Sequence, residues 1–158
     1  MDFATADLCD EHGDAVKVVP LPWRCFGQRP HFAGQARTLQ VFEDNTLVRR
    51  ALEFPGDGAV LVVDGGGSNR CALVGDNLAH LAIANGWSGI VVNGCIRDSA
   101  LIDQMDTGVV ALGTCPRKSV KRGEGQENVG ISIGGVAVNP GDWIYADADG
   151  VLVSSKEL

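Results

Sequence analysis

The run Ala59-Val60-Leu61-Val62-Val63 constrains this chain more than any other feature. It is apolar at every position, so a strand formed there must be covered on both faces. Gly89 to Val92 and Val109 to Leu112 have the same character. Between these runs lie segments of a different kind. Asn77 to Ala84 reads as a helix, closed by Asn85-Gly86, a pair able to adopt the left-handed conformation. Arg97-Asp98 opens a second short helix. Upstream, Gly34 to Phe42 alternates as a strand, and Asn45 to Glu53 sets Leu47, Val48, Ala51 and Leu52 at helical spacing. Cys71 to Val74 is a further short strand. Strand and helix in alternation predict an α/β core with parallel pairing.

The rest of the chain is punctuated differently. Glycine supplies 21 of 158 residues without any period, which excludes collagen-like and repeat architectures. Residues 4–12 suit a short helix with Thr5 as N-cap and Asp7 in the first turn. Pro20, Pro22, Gly27 and Pro30 make residues 20–30 irregular. Beyond residue 115 a basic loop, Arg117 to Arg122, precedes short strands at Val129–Ile133, Val136–Val138, Trp143–Ala146 and Val151–Ser154. These predict antiparallel structure packed on the first part, within one domain spanning 1–158.

Charge narrows the function classes. A net charge of −7 disfavours both a nucleic-acid backbone and an anionic membrane surface as partners. No apolar run reaches the roughly 20 residues that span a bilayer. The start, Met1-Asp2-Phe3-Ala4, lacks the pattern of a secretory signal. The five cysteines, at 9, 25, 71, 95 and 115, are odd in number and show no C-x-x-C spacing. Reduced thiols and a cytoplasmic location are the expectation.

Two segments could carry chemistry. Gly75-Asp76-Asn77-Leu78 joins a strand to a helix, where free backbone N–H groups attract a carboxylate or phosphate. Asp76 could equally cap that helix. Gly94-Cys95-Ile96-Arg97-Asp98 follows a buried strand, and ligands of open α/β sheets gather beyond such strand ends. There Arg97 could bind an acidic substrate while Asp98 holds a hard cation, or the two could form a structural pair. The triple glycine 65–67 lacks the Lys-Ser/Thr of a phosphate loop. Asp147-Ala148-Asp149-Gly150 lacks the distal Glu of a calcium loop and reads as a β-turn. The basic loop reads as solvated. His12, His31 and His80 show no metal-ligand spacing.

Taken together, Gly75-Asp76-Asn77-Leu78, Asn85-Gly86-Trp87 and Gly94-Cys95-Ile96-Arg97-Asp98 resemble the RraA-like family, and the resemblance extends from Asp7 to Asp147. That family includes class II 4-hydroxy-4-methyl-2-oxoglutarate aldolases and regulators of ribonuclease E activity. The resemblance implies a compact αββα sandwich related to swivelling β/β/α domains. It also implies a homotrimer, with trimers able to pair as a hexamer, and sites near subunit boundaries. By this resemblance Asp98 holds Mg²⁺ or Mn²⁺, and Arg97 contacts the substrate. The backbone of Gly75, Asp76, Asn77 and Leu78 receives the substrate carboxylate, and Asp76 orients a metal-bound water.

Those roles are chemically coherent. A metal chelated by the keto and carboxylate oxygens of a 2-oxo acid stabilises an enolate, and Arg97 adds positive charge beside it. Aldol cleavage and oxaloacetate decarboxylation both pass through pyruvate enolate. The expectation is therefore a metal-dependent carbon–carbon lyase on small 2-oxo acids. The family also permits a non-enzymatic regulator that binds a ribonuclease E-type protein. Family aldolases often carry an acidic residue three positions after Asp98; Leu101 stands there, with Asp103 two further on. The parts played by Asp103, Glu124 and the basic loop stay open at this level.

Overall fold

A computed structural model describes residues 2–158 of the chain. In chain order the elements are α1 (Thr5–His12), a 3₁₀ turn (Gly13–Ala15), β1 (Val16–Val18), β2 (Arg24–Phe26), β3 (Phe32–Gln40) and α2 (Thr46–Leu52). They continue with β4 (Val60–Asp64), β5 (Ala72–Val74), α3 (Asp76–Ala84), β6 (Gly89–Ile96), α4 (Ser99–Ile102) and β7 (Val109–Thr114). The C-terminal part holds β8 (Gln126–Glu127), β9 (Ile131–Ile133), β10 (Val136–Val138), β11 (Trp143–Asp147) and β12 (Gly150–Ser154).

The doubly apolar runs form the centre of the sheet. Strands β3, β4, β6 and β7 pair in parallel, in that order. Successive residues of β4 point to opposite faces, as a pleated strand requires. Leu61 and Val63 join a core shared with α2 and α3, through Val48, Leu52, Leu78 and Ala82. Val60 and Val62 join a second core, with Ile131, Ile133, Ile144 and Val153. The second layer is antiparallel, in the order β1, β12, β11, β3, with the hairpin β9–β10 beside it. Helix α1 lies against β1, β11 and β12 on the far side. The layers are thus helix, sheet, sheet, helix, and the αββα expectation holds.

Strand β3 belongs to both sheets. Its first half, through Gln35, pairs with β11, and Ala36 to Gln40 pair with β4. The C-terminal strands are therefore stitched into the sheet that carries the parallel core. Gly34 is required at this junction, because a Cβ there would collide with the Gly58 carbonyl oxygen.

Three local expectations need correction, and one strand has no counterpart among the expected elements. Residues 20–30 are not wholly irregular, because β2 adds an antiparallel edge strand to β7, with Cys25 opposite Val110. Strand β1 had no recognisable pattern and owes its pairing to β12. The strand expected from Val129 begins only at Ile131. Thr5 is not the N-cap of α1; Ala4 holds that position without a side-chain bond. Thr5 instead donates its N–H and its hydroxyl to the Asp147 carboxylate, at 2.7 Å each, tying the helix to β11. Burial raises the pKa of Asp147, but these bonds and the Asp149 and Gly150 N–H groups outweigh it and hold the carboxyl below its usual range. The turn expected at Asp147–Gly150 is present, with the Asp149 N–H on Asp147 Oδ1 at 2.9 Å. Among the described residues, no helix is long and apolar enough to cross a membrane.

Candidate active site

The site is assembled where the parallel strands end. Strand β5 docks in parallel on β6, with Ala72 opposite Cys95. The Arg97 N–H then donates to the Val74 carbonyl at 2.9 Å. This bond brings the start of α3 against the end of β6. The two segments singled out in the sequence are therefore neighbours across one strand edge.

Asp98 joins them. It takes the left-handed conformation, with φ +56, as the N-cap position of α4. Aspartate tolerates that region better than most residues. The Asp98 carbonyl accepts the Leu101 and Ile102 N–H groups at 3.0 Å. Its carboxylate reaches α3 instead: Oδ2 accepts the Asp76 N–H at 3.3 Å and lies 3.8 Å from Arg97 Nε. The helix end is thus covered by a carboxylate from another element, which favours the dipole in the same way a local cap does.

Asp76 is therefore not the helix cap. Gly75 is the N-cap residue, extended at φ −128 and ψ −169, and Asp76 is the first helical residue. Its carboxylate makes no capping bond and is left to face the cavity. Glycine is needed at 75 for space. A Cβ there would stand 2.8 Å from Asp98 Oδ2 and 3.5 Å from Arg97 Cγ.

All six residues expected at the site, Gly75, Asp76, Asn77, Leu78, Arg97 and Asp98, line one cavity of about 70 Å³. Arg49, Lys118 and Lys121 line it too. The sequence did not place the basic loop here, and the reason is a set of long-range bonds. The Ala72 N–H donates to the Arg117 carbonyl at 2.8 Å, and Asn45 donates its N–H to Ser119 Oγ at 3.2 Å. Lys121 Nζ donates to Asn45 Oδ1 at 3.0 Å. Four cations then face two carboxylates, Asp76 and Asp98, so the cavity suits an anion.

The loop has its own anchor. Asp44 is buried, and its carboxylate accepts Thr46 N–H and hydroxyl at 2.9 and 2.7 Å. It also accepts the Arg122 and Glu124 N–H groups at 2.8 and 3.1 Å. Burial alone would raise its pKa, but the bonds from Thr46, Glu124 and Arg122 outweigh it and lower the value to about 2. Asp103 and Glu124 lie elsewhere on this chain. Asp103 accepts the Gly27 N–H at 3.0 Å, and Glu124 lines a separate hollow with Phe42 and Asp64. Neither lines this cavity. A larger hollow of about 260 Å³ lies by Arg37, Arg50 and Trp87. Its cations are committed, Arg37 to the Pro55 carbonyl and Arg50 to Glu127.

Among the described residues, no group of three or more His, Cys, Asp or Glu could hold a metal ion. The donor set is the Asp98 carboxylate, 36 % exposed at the cavity, with Asp76 nearby. Mg²⁺ keeps several waters and takes only one or two carboxylates, so the residues present fit it.

Comparison with known proteins extends beyond this geometry. A family model described as "RraA-like: Aldolase/RraA" matches residues 5–153. A protein of Aromatoleum aromaticum named "Putative 4-hydroxy-4-methyl-2-oxoglutarate aldolase" is 56 % identical over 158 residues, covering 100 % of this chain and 99 % of that one. A solved structure described as the RNA-processing inhibitor RraA from Thermus thermophilis is 45 % identical. It superposes with a TM-score of 0.95 over 100 % of this chain and 96 % of its own. Another, described as an S-adenosylmethionine: 2-dimethylmenaquinone methyltransferase from Geobacillus kaustophilus, is 52 % identical with a TM-score of 0.96. It covers 99 % of this chain and 97 % of its own. With the fold, the site segments and the family model in agreement over nearly the whole length, the chain belongs to the RraA-like family.

Proposed function

We propose that this chain is a carbon–carbon lyase of 2-oxo acids, dependent on Mg²⁺ or Mn²⁺ held by Asp98. Its substrates are 4-hydroxy-4-methyl-2-oxoglutarate, cleaved to two pyruvates, and oxaloacetate, decarboxylated to one. The observation that carries this reading is the meeting of Arg97, Asp98 and the α3 N-terminus in one cationic cavity. The names of the aldolase-like relatives support it. The cavity is lined mainly by charged and polar groups, with no aromatic side chain, which suits a small acid.

The metal would supply Lewis-acid polarisation of the keto oxygen. The chain's own groups do the rest. The N–H groups at the start of α3 receive the substrate carboxylate. Arg97 places fixed positive charge beside the keto oxygen, where negative charge grows as the C3–C4 bond breaks. Asp76 accepts the C4 hydroxyl proton of the aldol substrate and returns a proton to C3 of the departing pyruvate unit. In oxaloacetate the same bond breaks with loss of CO₂, and C3 is protonated in the same way. The working assembly under this reading is a homotrimer, or a pair of trimers, which sedimentation would measure.

The test is pyruvate release from both substrates with Mg²⁺, with Mn²⁺ and with chelator. Asp98→Ala is expected to abolish metal-dependent release. Arg97→Ala is expected to lower kcat by about 10²-fold or more while the protein stays folded. Full activity of Asp98→Ala in chelator would refute the mechanism. A second reading, a regulator that binds a ribonuclease E-type protein, draws on the similarity to the Thermus structure. Absence of release from either substrate, with capture of such a partner, would favour it.

A further inference from the structure

We infer that Asn45 is a positioning residue of the cavity: its side chain holds the Lys121 ammonium in place for an anionic ligand without cancelling its charge. The inference rests on reading the cavity as a site for small 2-oxo acids. Asn45 and Lys121 both line that cavity. The Asn45 side chain is bonded at both ends. Its Nδ2 donates to the Leu73 carbonyl of β5 at 3.2 Å, and its Oδ1 accepts from Lys121 Nζ at 3.0 Å. The first bond settles the second. A carbonyl only accepts, so the amide turns its nitrogen to Leu73 and leaves its oxygen for the lysine. The backbone beneath is fixed as well. Asn45 donates its own N–H to Ser119 Oγ at 3.2 Å, and Thr46 Oγ1 accepts the Gly123 N–H at 3.2 Å. The Asp44 carboxylate accepts the Arg122 and Glu124 N–H groups. Three consecutive residues thus carry the basic loop, and Asn45 is the one whose side chain reaches a cavity cation.

The residue type matters. Two other cations of the cavity are paired with carboxylates, Arg97 with Asp98 at 3.8 Å and Arg49 with Glu53 at 3.5 Å. Each of those pairs is neutral as a unit. An amide oxygen carries no net charge, so Lys121 keeps its full positive charge while its side chain is tied down. Aspartate at position 45 would cancel that charge, and it could not donate to the Leu73 carbonyl. Serine or alanine would be too short to reach both partners. A lysine is long and flexible, and ordering it at the moment of binding costs affinity. Asn45 has it ordered before the ligand arrives.

The experiment is a double-mutant cycle on pyruvate binding, followed by calorimetry in excess Mg²⁺. Lys121→Ala is expected to weaken pyruvate by about tenfold, the scale of one hydrogen bond to a charged group. Asn45→Ala is expected to weaken it by about threefold or more, the scale of ordering one long side chain on binding. The double variant should bind no more weakly than Lys121→Ala alone, because Asn45 acts through the lysine. A role confined to folding would make the two losses add. Asn45→Asp keeps an oxygen toward Lys121 and should still weaken pyruvate at least as much as Asn45→Ala. Asn45→Ser supplies a second cycle if the alanine variant does not fold. Additive losses would overturn the inference. So would an unchanged affinity in Asn45→Ala or in Lys121→Ala, or no binding of pyruvate by the wild type. Because the readout is binding, it separates from turnover. A non-additive cycle without pyruvate release from either substrate would refute the lyase and leave the positioning role standing. Release with an additive cycle would do the reverse.

Discussion

Asp44 offers the sharpest test of how the basic loop is held. Asp44→Asn keeps the size and one carbonyl oxygen but turns an amide N–H₂ toward groups that are themselves donors. Thr46 uses Oδ1, while the Arg122 and Glu124 N–H groups both use Oδ2. Whichever way the amide is turned, at least one donor loses its acceptor. The magnitude follows from the carboxyl's displacement from 3.8 to about 2. At about 1.4 kcal/mol per pH unit, that displacement corresponds to about 2 kcal/mol of folding free energy. The sign follows from the direction. A carboxyl depressed in the folded state contributes its full stability above its unfolded value, near pH 4. The contribution is lost as pH falls toward 2. Urea unfolding at several pH values would measure it. Asp44→Asn is expected to be less stable by about 2 kcal/mol at pH 7, a large part of a typical domain's margin. The gap should narrow below about pH 4 and close near pH 2. A gap that stays constant over this range would refute the electrostatic reasoning, and so would one under about 0.5 kcal/mol at pH 7.

Other expectations follow from the same contacts. Gly75→Ala should leave the protein folded but lower turnover severely, because its Cβ would displace the Asp98 carboxylate; steady-state kinetics beside a circular dichroism spectrum would separate the two effects. Leu61→Ala should cost about 2–5 kcal/mol in thermal or chemical unfolding, because Leu61 is fully buried between β4 and the helices.

The parallel core was legible because its strands are apolar on both faces, a pattern that few alternatives produce. The short edge strands were not. Val16–Val18 and Arg24–Phe26 are three residues each, and only their partners β12 and β7 make them strands. The site showed the same division. Gly75, Arg97 and Asp98 stand in segments whose residue types and spacing point to a ligand, and the structure brings them together. The role of capping α3 was legible only as a possibility. It passes from Asp76 to Asp98, 22 residues away, through a contact that no local pattern encodes. Lys118 looked like one charge in a solvated loop. Its place at the cavity depends on Ala72, Asn45 and Asp44, each more than 40 residues distant in the chain.

The sharing of β3 between the two sheets has a consequence for how the molecule breathes. With one strand hydrogen-bonded to β11 along its first half and to β4 along its second, there is no seam along which the layers could part. Separating them means breaking the backbone ladder of a central strand, which is an opening close to global unfolding. Amide protons of β3, β4 and β11 should accordingly exchange with solvent last and together. The cavity lies at the ends of the parallel strands, open to solvent at Arg97 and Asp98, so a ligand can enter and leave while the β scaffold beneath it stays closed.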